Sequence, residues 1–244
     1  MCEMCRQNSA PGFKPSRRYV LRAGAATAGL LLASAAGAKQ LETPPKPQNV
    51  LTPAASLERL LKGNARYVAG VSLRHDFKHE REVLVGGQNP FAAILSCADS
   101  RIAPEYAFDS GRGDLFVCRV AGNFANNETV ASLEYAVAEL GAPLILVLGH
   151  DSCGAVSATI KSLKDGTTLP GHLPSLVSGI APAVKAVSQQ AGDLLANAIR
   201  QNVIDNVAKL RAATPLLSAA VEQGKLRVAG GIYRLRDGRV EMIG

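Results

Sequence analysis

The sequence predicts an α/β protein with a mainly parallel sheet and helices on both faces. Four short apolar runs predict buried strands: 91–96, 115–120, 144–149 and 226–233. Each run is continuously apolar, which is typical of parallel strands covered on both sides, and helical patterns fill the segments between them. A turn at Asp237-Gly238 then leads to a short run at 240–243, which predicts an antiparallel edge strand.

The helices are predicted from caps and from the spacing of apolar residues. Ser56 can cap a first helix that Gly70 would end. The polar segment 71–90 is predicted to be a loop that can hold a short helix. Asn127 is expected to cap a helix that runs to Leu140. Further helical patterns cover three ranges: 151–163, 179–190 and 192–212.

The first 53 residues resemble an export signal followed by a linker. A twin arginine, Arg17-Arg18, precedes an alanine-rich apolar stretch at 23–36 and a small-residue cleavage pattern at 36–38. An uncleaved membrane anchor is the alternative, but the stretch falls short of the ~20 residues that span a bilayer. We therefore expect a bacterial protein exported to the periplasm by the twin-arginine (Tat) route. The expected divisions are a signal peptide, a proline-rich linker and a catalytic domain: 1–38, 39–53 and 54–244.

The charge balance excludes a nucleic-acid partner once the signal is set aside. The whole chain carries a formal charge of +7. Beyond residue 38, 22 basic residues face 19 acidic ones, and no basic run interleaved with aromatic residues appears. We expect no stable membrane span after cleavage.

The cysteines predict a metal site rather than a disulfide framework. Cys2 and Cys5 lie inside the predicted signal, so three cysteines remain, and an odd number in an exported protein argues against paired disulfides. Cys118 lies within an apolar run and is expected to be a buried strand residue. Cys97 and Cys153 remain as metal-ligand candidates.

Three residues form a candidate zinc site with one open position. Cys97 directly follows the first strand, and His150 and Cys153 follow the third. In a sheet of order 2-1-3-4 the first and third strands are neighbours, and ligands bind where the strand order reverses. Two cysteines and one histidine leave a fourth position for water or substrate, as in catalytic zinc sites.

Charged and small residues beside these ligands indicate catalysis. The guanidinium of Arg101 can hold the carboxylate of Asp99 through two hydrogen bonds and keep it ionised. An ionised Asp99 can either orient a hydroxide or fill the fourth metal position itself. His150 and Cys153 are expected on one face of a helix start, with Cys153 in the first turn. The N–H of Gly154 could face a substrate oxygen.

The pattern C-x-D-x-R, followed by H-x-x-C-G, resembles the beta-class carbonic anhydrases. Segments 87–90, 119–123 and 132–137 are also similar to family segments, so the resemblance covers residues 54–244. It implies one zinc ion per chain and reversible hydration of carbon dioxide to bicarbonate and a proton through a zinc-bound hydroxide. It also implies an active site at the interface of a homodimer or of a multiple of dimers.

The resemblance assigns roles to individual residues. It implies that zinc is held by three ligands: Cys97, His150 and Cys153. Asp99 and Arg101 would orient and gate the site, and Gln88 would hydrogen-bond substrate. Phe116 and Tyr135 match aromatic pocket residues, although both could equally be core residues of a strand and a helix.

Three other functions remain open at this stage. The same ligands could serve a hydrolase of carbon disulfide or carbonyl sulfide, whose linear substrates resemble carbon dioxide. A non-catalytic zinc- or bicarbonate-binding protein is disfavoured, because Gln88, Asp99 and Arg101 are all present. A thiol redox role for the two cysteines is weaker still, because it leaves His150 without a purpose.

Overall fold

A computed structural model describes residues 50–243. The predicted export signal and linker residues 39–49 lie outside these described residues. The sheet is made of five strands: β1 Ala92–Ser96, β2 Leu115–Arg119, β3 Leu144–His150, β4 Arg227–Tyr233 and β5 Val240–Ile243. Their order is β2-β1-β3-β4-β5. The first three pairings are parallel and β5 is antiparallel to β4, which confirms the predicted topology.

Eight helices occur within residues 50–243, together with a 3₁₀ turn at Leu84–Gly86. They are α1 Pro53–Val68, α2 Phe77–Val83, α3 Pro104–Ala107, α4 Asn127–Ala138, α5 Gly154–Asp165, α6 Leu173–Ala186, α7 Leu194–Arg211 and α8 Leu216–Glu222. None of these helices is long and apolar enough to cross a bilayer.

Two predicted helix caps were wrong. Thr52 caps α1, with its hydroxyl accepting the N–H of Ala55, while Ser56 is buried inside the helix. Asn126 rather than Asn127 caps α4, in a reciprocal pair with Thr129. In both cases a neighbouring polar residue occupies the position from which the side chain reaches the free N–H groups of the first turn.

Strands β1 and β3 are buried along their whole length, because helices cover both faces of the sheet at its centre. The edge strand β2 is only partly buried, so the prediction that 115–120, with Cys118, forms a buried strand was wrong. Alternate residues of β1 point to opposite sides, so Ala93 and Leu95 face one core while Ala92 and Ile94 face the other. Helices α4 to α8 contribute to the first core, and α1 and α3 contribute to the second. Ser96, the last residue of β1, is in register with Leu148 of β3. The segments that follow these two strands therefore leave the sheet side by side.

Candidate metal centre and active site

Cys97, His150 and Cys153 converge where β1 and β3 end. Their ligand atoms all lie within 4.8 Å of one another, and all three residues are buried. The Sγ atoms of Cys97 and Cys153 are 3.9 Å apart. The predicted cluster therefore forms, although 53 residues separate the first ligand from the second.

The imidazole of His150 is oriented for metal binding. Its Nδ1 lies 2.8 Å from the carbonyl oxygen of Asp151. Because a carbonyl can only accept, Nδ1 carries the hydrogen and donates it in this bond, and the lone pair of the neutral imidazole is on Nε2. Nε2 is buried and has no hydrogen-bond partner within residues 50–243. A buried nitrogen without a partner is costly, and a metal ion at this point would remove that cost.

A tight turn, not a helix face, joins His150 to Cys153. His150 ends β3, Ser152 adopts a left-handed conformation with φ of 52°, and Cys153 is the N-cap residue of α5. The prediction that Cys153 lies in the first helical turn was therefore wrong. The turn reverses the chain, so that both side chains face the same point.

Of the two thiols, Cys97 is the one whose pKa is lowered, while the pKa of Cys153 is raised. A hydrogen bond from Cys153 lowers the pKa of Cys97 to about 4, against the opposing effect of burial. The same contact, together with burial, raises the pKa of Cys153. The N–H of Gly122 also donates to the Cys97 sulfur, at 3.2 Å. Burial alone would lower the pKa of His150, but the neighbouring Cys97 outweighs it and raises that pKa.

This donor set fits zinc. Thiolates and a neutral imidazole are the ligands that zinc prefers, at Zn–S distances of about 2.3 Å. Two such bonds at a tetrahedral angle place the sulfurs about 3.8 Å apart, and the observed separation is 3.9 Å. Three protein ligands leave one of the four positions for water or substrate.

Asp99 and Arg101 form the predicted ion pair beside this cluster. Nε of Arg101 donates to Oδ1 of Asp99 at 2.9 Å, and a terminal nitrogen donates to Oδ2 at 2.8 Å. The guanidinium holds the pKa of the Asp99 carboxyl far below its usual range. It also reaches the carbonyl of Ser152 at 3.3 Å, so it links the loops after β1 and β3.

Arg119, at the carboxyl end of β2, supports the same loop, a role that was not predicted from the sequence. Its guanidinium donates to the carbonyl oxygens of Cys97 at 2.9 Å, Asp99 at 2.7 Å and Ile102 at 2.9 Å. Two signals in the sequence could have indicated this role: its position at the end of the strand beside β1, and its place at the start of the family-like segment 119–123.

In the described part of the chain, the remaining predicted site residues make no side-chain hydrogen bond to the three ligand candidates. A Cβ added to Gly154 would meet nothing within 4 Å, so the start of α5 opens onto free space. Gln88 is exposed in the loop before β1, and its side chain makes no hydrogen bond within residues 50–243. Phe116 and Tyr135 lie against each other, with ring centroids 6.3 Å apart, and half of Tyr135 is exposed.

Comparisons with known proteins identify the family. A family model described as carbonic anhydrase matches residues 92–240, which include all three ligand candidates, Asp99 and Arg101. The chain belongs to the carbonic anhydrase family. Carbonic anhydrase 2 of Mycobacterium tuberculosis is 40% identical over 189 residues, which span 77% of this chain and 91% of that protein. The carbonic anhydrase of Mycolicibacterium smegmatis is 40% identical over 192 residues, spanning 78% and 93%.

A solved structure assigns the class within the carbonic anhydrase family. The beta-carbonic anhydrase CcaA matches with a TM-score of 0.60 at 28% sequence identity, covering 78% of this chain and 92% of that one. The fold and the resemblance based on C-x-D-x-R and H-x-x-C-G therefore agree, and the chain is a beta-class carbonic anhydrase.

Proposed function

We propose that residues 54–244 form the catalytic domain of a beta-class carbonic anhydrase that hydrates carbon dioxide reversibly to bicarbonate and a proton, with one zinc ion per chain. One observation carries this proposal. Three ligand atoms within 4.8 Å of one another lie beside a carboxylate–guanidinium pair that is already formed. The relatives of known activity support the same reaction.

Each ligand contributes a defined part of the metal site. Cys97 and Cys153 would bind zinc through sulfur, and His150 would bind it through Nε2. Bound zinc supplies a Lewis acid that makes hydroxide available near neutral pH. The Asp151 carbonyl keeps the imidazole in the tautomer that this site needs.

Asp99 orients the reacting groups and remains an acceptor throughout. Its low pKa keeps the carboxylate ionised at working pH, so it can accept a hydrogen bond from a water or hydroxide but cannot donate one. Arg101 occupies both carboxylate oxygens. This pairing favours the form in which Asp99 orients the reactant over the form in which it fills the fourth metal position. Gly154 is exposed at the first position of α5, where an N–H has no acceptor within the helix, so this N–H can donate to a substrate oxygen.

We also propose that the active enzyme is a homodimer or a multiple of dimers. Strand β2 lies at the edge of the sheet, where unpaired backbone groups are available to a second chain. Phe116 lies on this strand, and the half-exposed Tyr135 packs against it. An interface here would complete a pocket with these rings and with Gln88. Light scattering after size exclusion tests this, and a monomer at assay concentration would contradict it.

Export by the Tat route remains part of the proposal. The twin arginine at Arg17-Arg18 and the small residues at 36–38 support it. N-terminal sequencing of protein recovered from the periplasm should give a start near Lys39. Recovery of only a full-length cytoplasmic product would refute it.

The activity is tested directly by stopped-flow hydration of carbon dioxide. Zinc-loaded protein should accelerate hydration well above the buffer rate at neutral and mildly alkaline pH, and carbon disulfide should not be consumed by the same preparation. A rate equal to the buffer rate would overturn the enzymatic assignment. Consumption of carbon disulfide without hydration would favour the related hydrolase.

A further inference from the structure

The N–H of Gly122 is aimed at the sulfur of Cys97. The two atoms are 3.2 Å apart, and Gly122 lies in the segment 120–126 that connects β2 to α4. Gly122 has φ of 86°, and a Cβ added there would lie 2.4 Å from Cδ1 of Ile180. The left-handed backbone and this close approach both require glycine.

Helix α7 holds this segment in place. Nδ2 of Asn202 donates to the carbonyl of Gly122 at 2.8 Å, and Oδ1 of Asn206 accepts the N–H of Ala125 at 2.7 Å. Asn206 also donates to Oδ1 of Asn202 at 3.1 Å. Lys209 completes the attachment with a bond to the Ala125 carbonyl at 2.5 Å. Gly122 and Ala125, both in this segment, are therefore tied to one face of α7.

The burial of these amides makes the attachment specific. Asn202 is 1% exposed and Asn206 is 6% exposed. A buried amide is costly unless its hydrogen bonds are made, whereas an apolar side chain on the same helix face would carry no such cost. Gly122 is held at both of its backbone polar groups: its carbonyl accepts the bond from Asn202, and its N–H donates to Cys97. Together these bonds fix the conformation that directs the N–H at the sulfur.

We infer that Asn202 is a positioning residue, which acts through Gly122 to fix a hydrogen bond on the Cys97 sulfur and so to tune the metal held there. This inference rests on the proposed function, because it requires Cys97 to be a metal ligand. A hydrogen bond to a ligating thiolate restricts its orientation and withdraws charge from the sulfur. Loss of the bond should leave the sulfur more electron-rich and less well placed.

The test replaces zinc with cobalt(II) and follows the thiolate-to-cobalt charge-transfer absorption. Asn202→Leu should move this band to lower energy, because an electron-rich sulfur gives up charge more easily. Zinc affinity should fall about tenfold. Asn64→Leu is the matched control: Asn64 is 5% exposed and bonds Ala107, Gly238 and Val240, on the other face of the sheet. It should lose stability without moving the band.

Failure of the role of Asn202 and failure of the metal site give different results in this experiment. An unmoved band in Asn202→Leu, or an equal shift in Asn64→Leu, would overturn the inference while leaving the metal site intact. Absence of the band in the unmodified protein would remove the metal site itself and the inference with it. If Asn202→Leu does not fold, Lys209→Met replaces it, because Lys209 is exposed. It should give a smaller shift in the same direction, and Lys185→Met on α6 should give none.

Discussion

Oδ2 of Asp99 lies 3.8 Å from Nε2 of His150, although both oxygens of Asp99 are already bonded to Arg101. The carboxylate therefore reaches the point where the three metal-ligand candidates converge without releasing its guanidinium partner. This position suits a group that accepts a hydrogen bond from a reactant at the metal and is itself kept from moving.

Asp99→Asn should abolish most of the activity and leave zinc in place. The amide has nearly the same shape, but it carries no charge and presents an NH₂ group to Arg101. We expect the rate of carbon dioxide hydration to fall about 100-fold or more, the usual scale for loss of a positioned acid–base group. Stopped-flow assays on proteins of equal zinc content measure this. Asp165→Asn, at the exposed end of α5, is the control. A fully active Asp99→Asn protein would show that Asp99 has no role in the reaction.

Serine substitutions should separate the ligand cysteines from Cys118. A hydroxyl is a poor substitute for a thiolate, so Cys97→Ser and Cys153→Ser should lose most of their zinc on gel filtration. Cys118→Ser should retain it, because Cys118 lies on β2 and burial raises the pKa of its thiol. Elemental analysis per chain checks both expectations. Equal zinc loss in all three variants would indicate general unfolding rather than ligation.

Arg119→Met should slow turnover while zinc is retained. The substitution keeps much of the side-chain volume but leaves three carbonyls of the segment 97–102 without their donor. A small displacement of Asp99 and Arg101 should follow, and we expect kcat to fall about 10- to 100-fold. Arg227→Met, at the exposed start of β4, controls for the loss of an arginine. Unchanged kcat in Arg119→Met would show that the loop holds its shape without this guanidinium.

The sequence was sufficient to predict the sheet and the convergence of Cys97, His150 and Cys153, because both depend on local patterns. Continuous apolar runs indicate buried strands, and residues that follow neighbouring parallel strands must meet at one edge. Cys97 and His150 are therefore linked by topology, even though they are far apart in the chain. The bidentate pairing of Asp99 with Arg101 follows from their spacing and charge alone.

The sequence could not predict features that depend on long-range approach. The bonds from Arg119 to three carbonyls, and from Asn202 to Gly122, become visible only when the elements are packed. The left-handed turn at Ser152 was missed because nothing in the residue itself requires that conformation. Helices α3 and α8 span only 4 and 7 residues, too short for a helical period to be recognised.

Asp109 should make the folded domain sensitive to acid. Its side chain is only 4% exposed and accepts bonds from Arg66 at 2.5 Å, from the Ser72 hydroxyl at 3.1 Å and from the Leu73 N–H at 3.1 Å. Nε2 of His75 also faces it, at 3.8 Å. Burial opposes ionisation, but these partners outweigh it, so the pKa of Asp109 in the folded protein is lowered.

Asp109→Asn should therefore destabilise the domain in a pH-dependent way. Asparagine tolerates the left-handed backbone at this position, where φ is 43°, so the change mainly removes charge. We expect a loss of about 1–3 kcal/mol in the free energy of unfolding at about pH 5.5. The stabilisation from Asp109 is complete above the carboxyl pKa of the unfolded chain, about 3.9, and is lost as the pH falls through the lower pKa of the folded protein. The difference in unfolding free energy between the unmodified protein and Asp109→Asn should therefore shrink towards about pH 3. Urea unfolding at fixed protein concentration measures this free-energy difference at about pH 5.5 and about pH 3, with Asp165→Asn as the control. An equal loss of stability at the two pH values would contradict the electrostatic explanation.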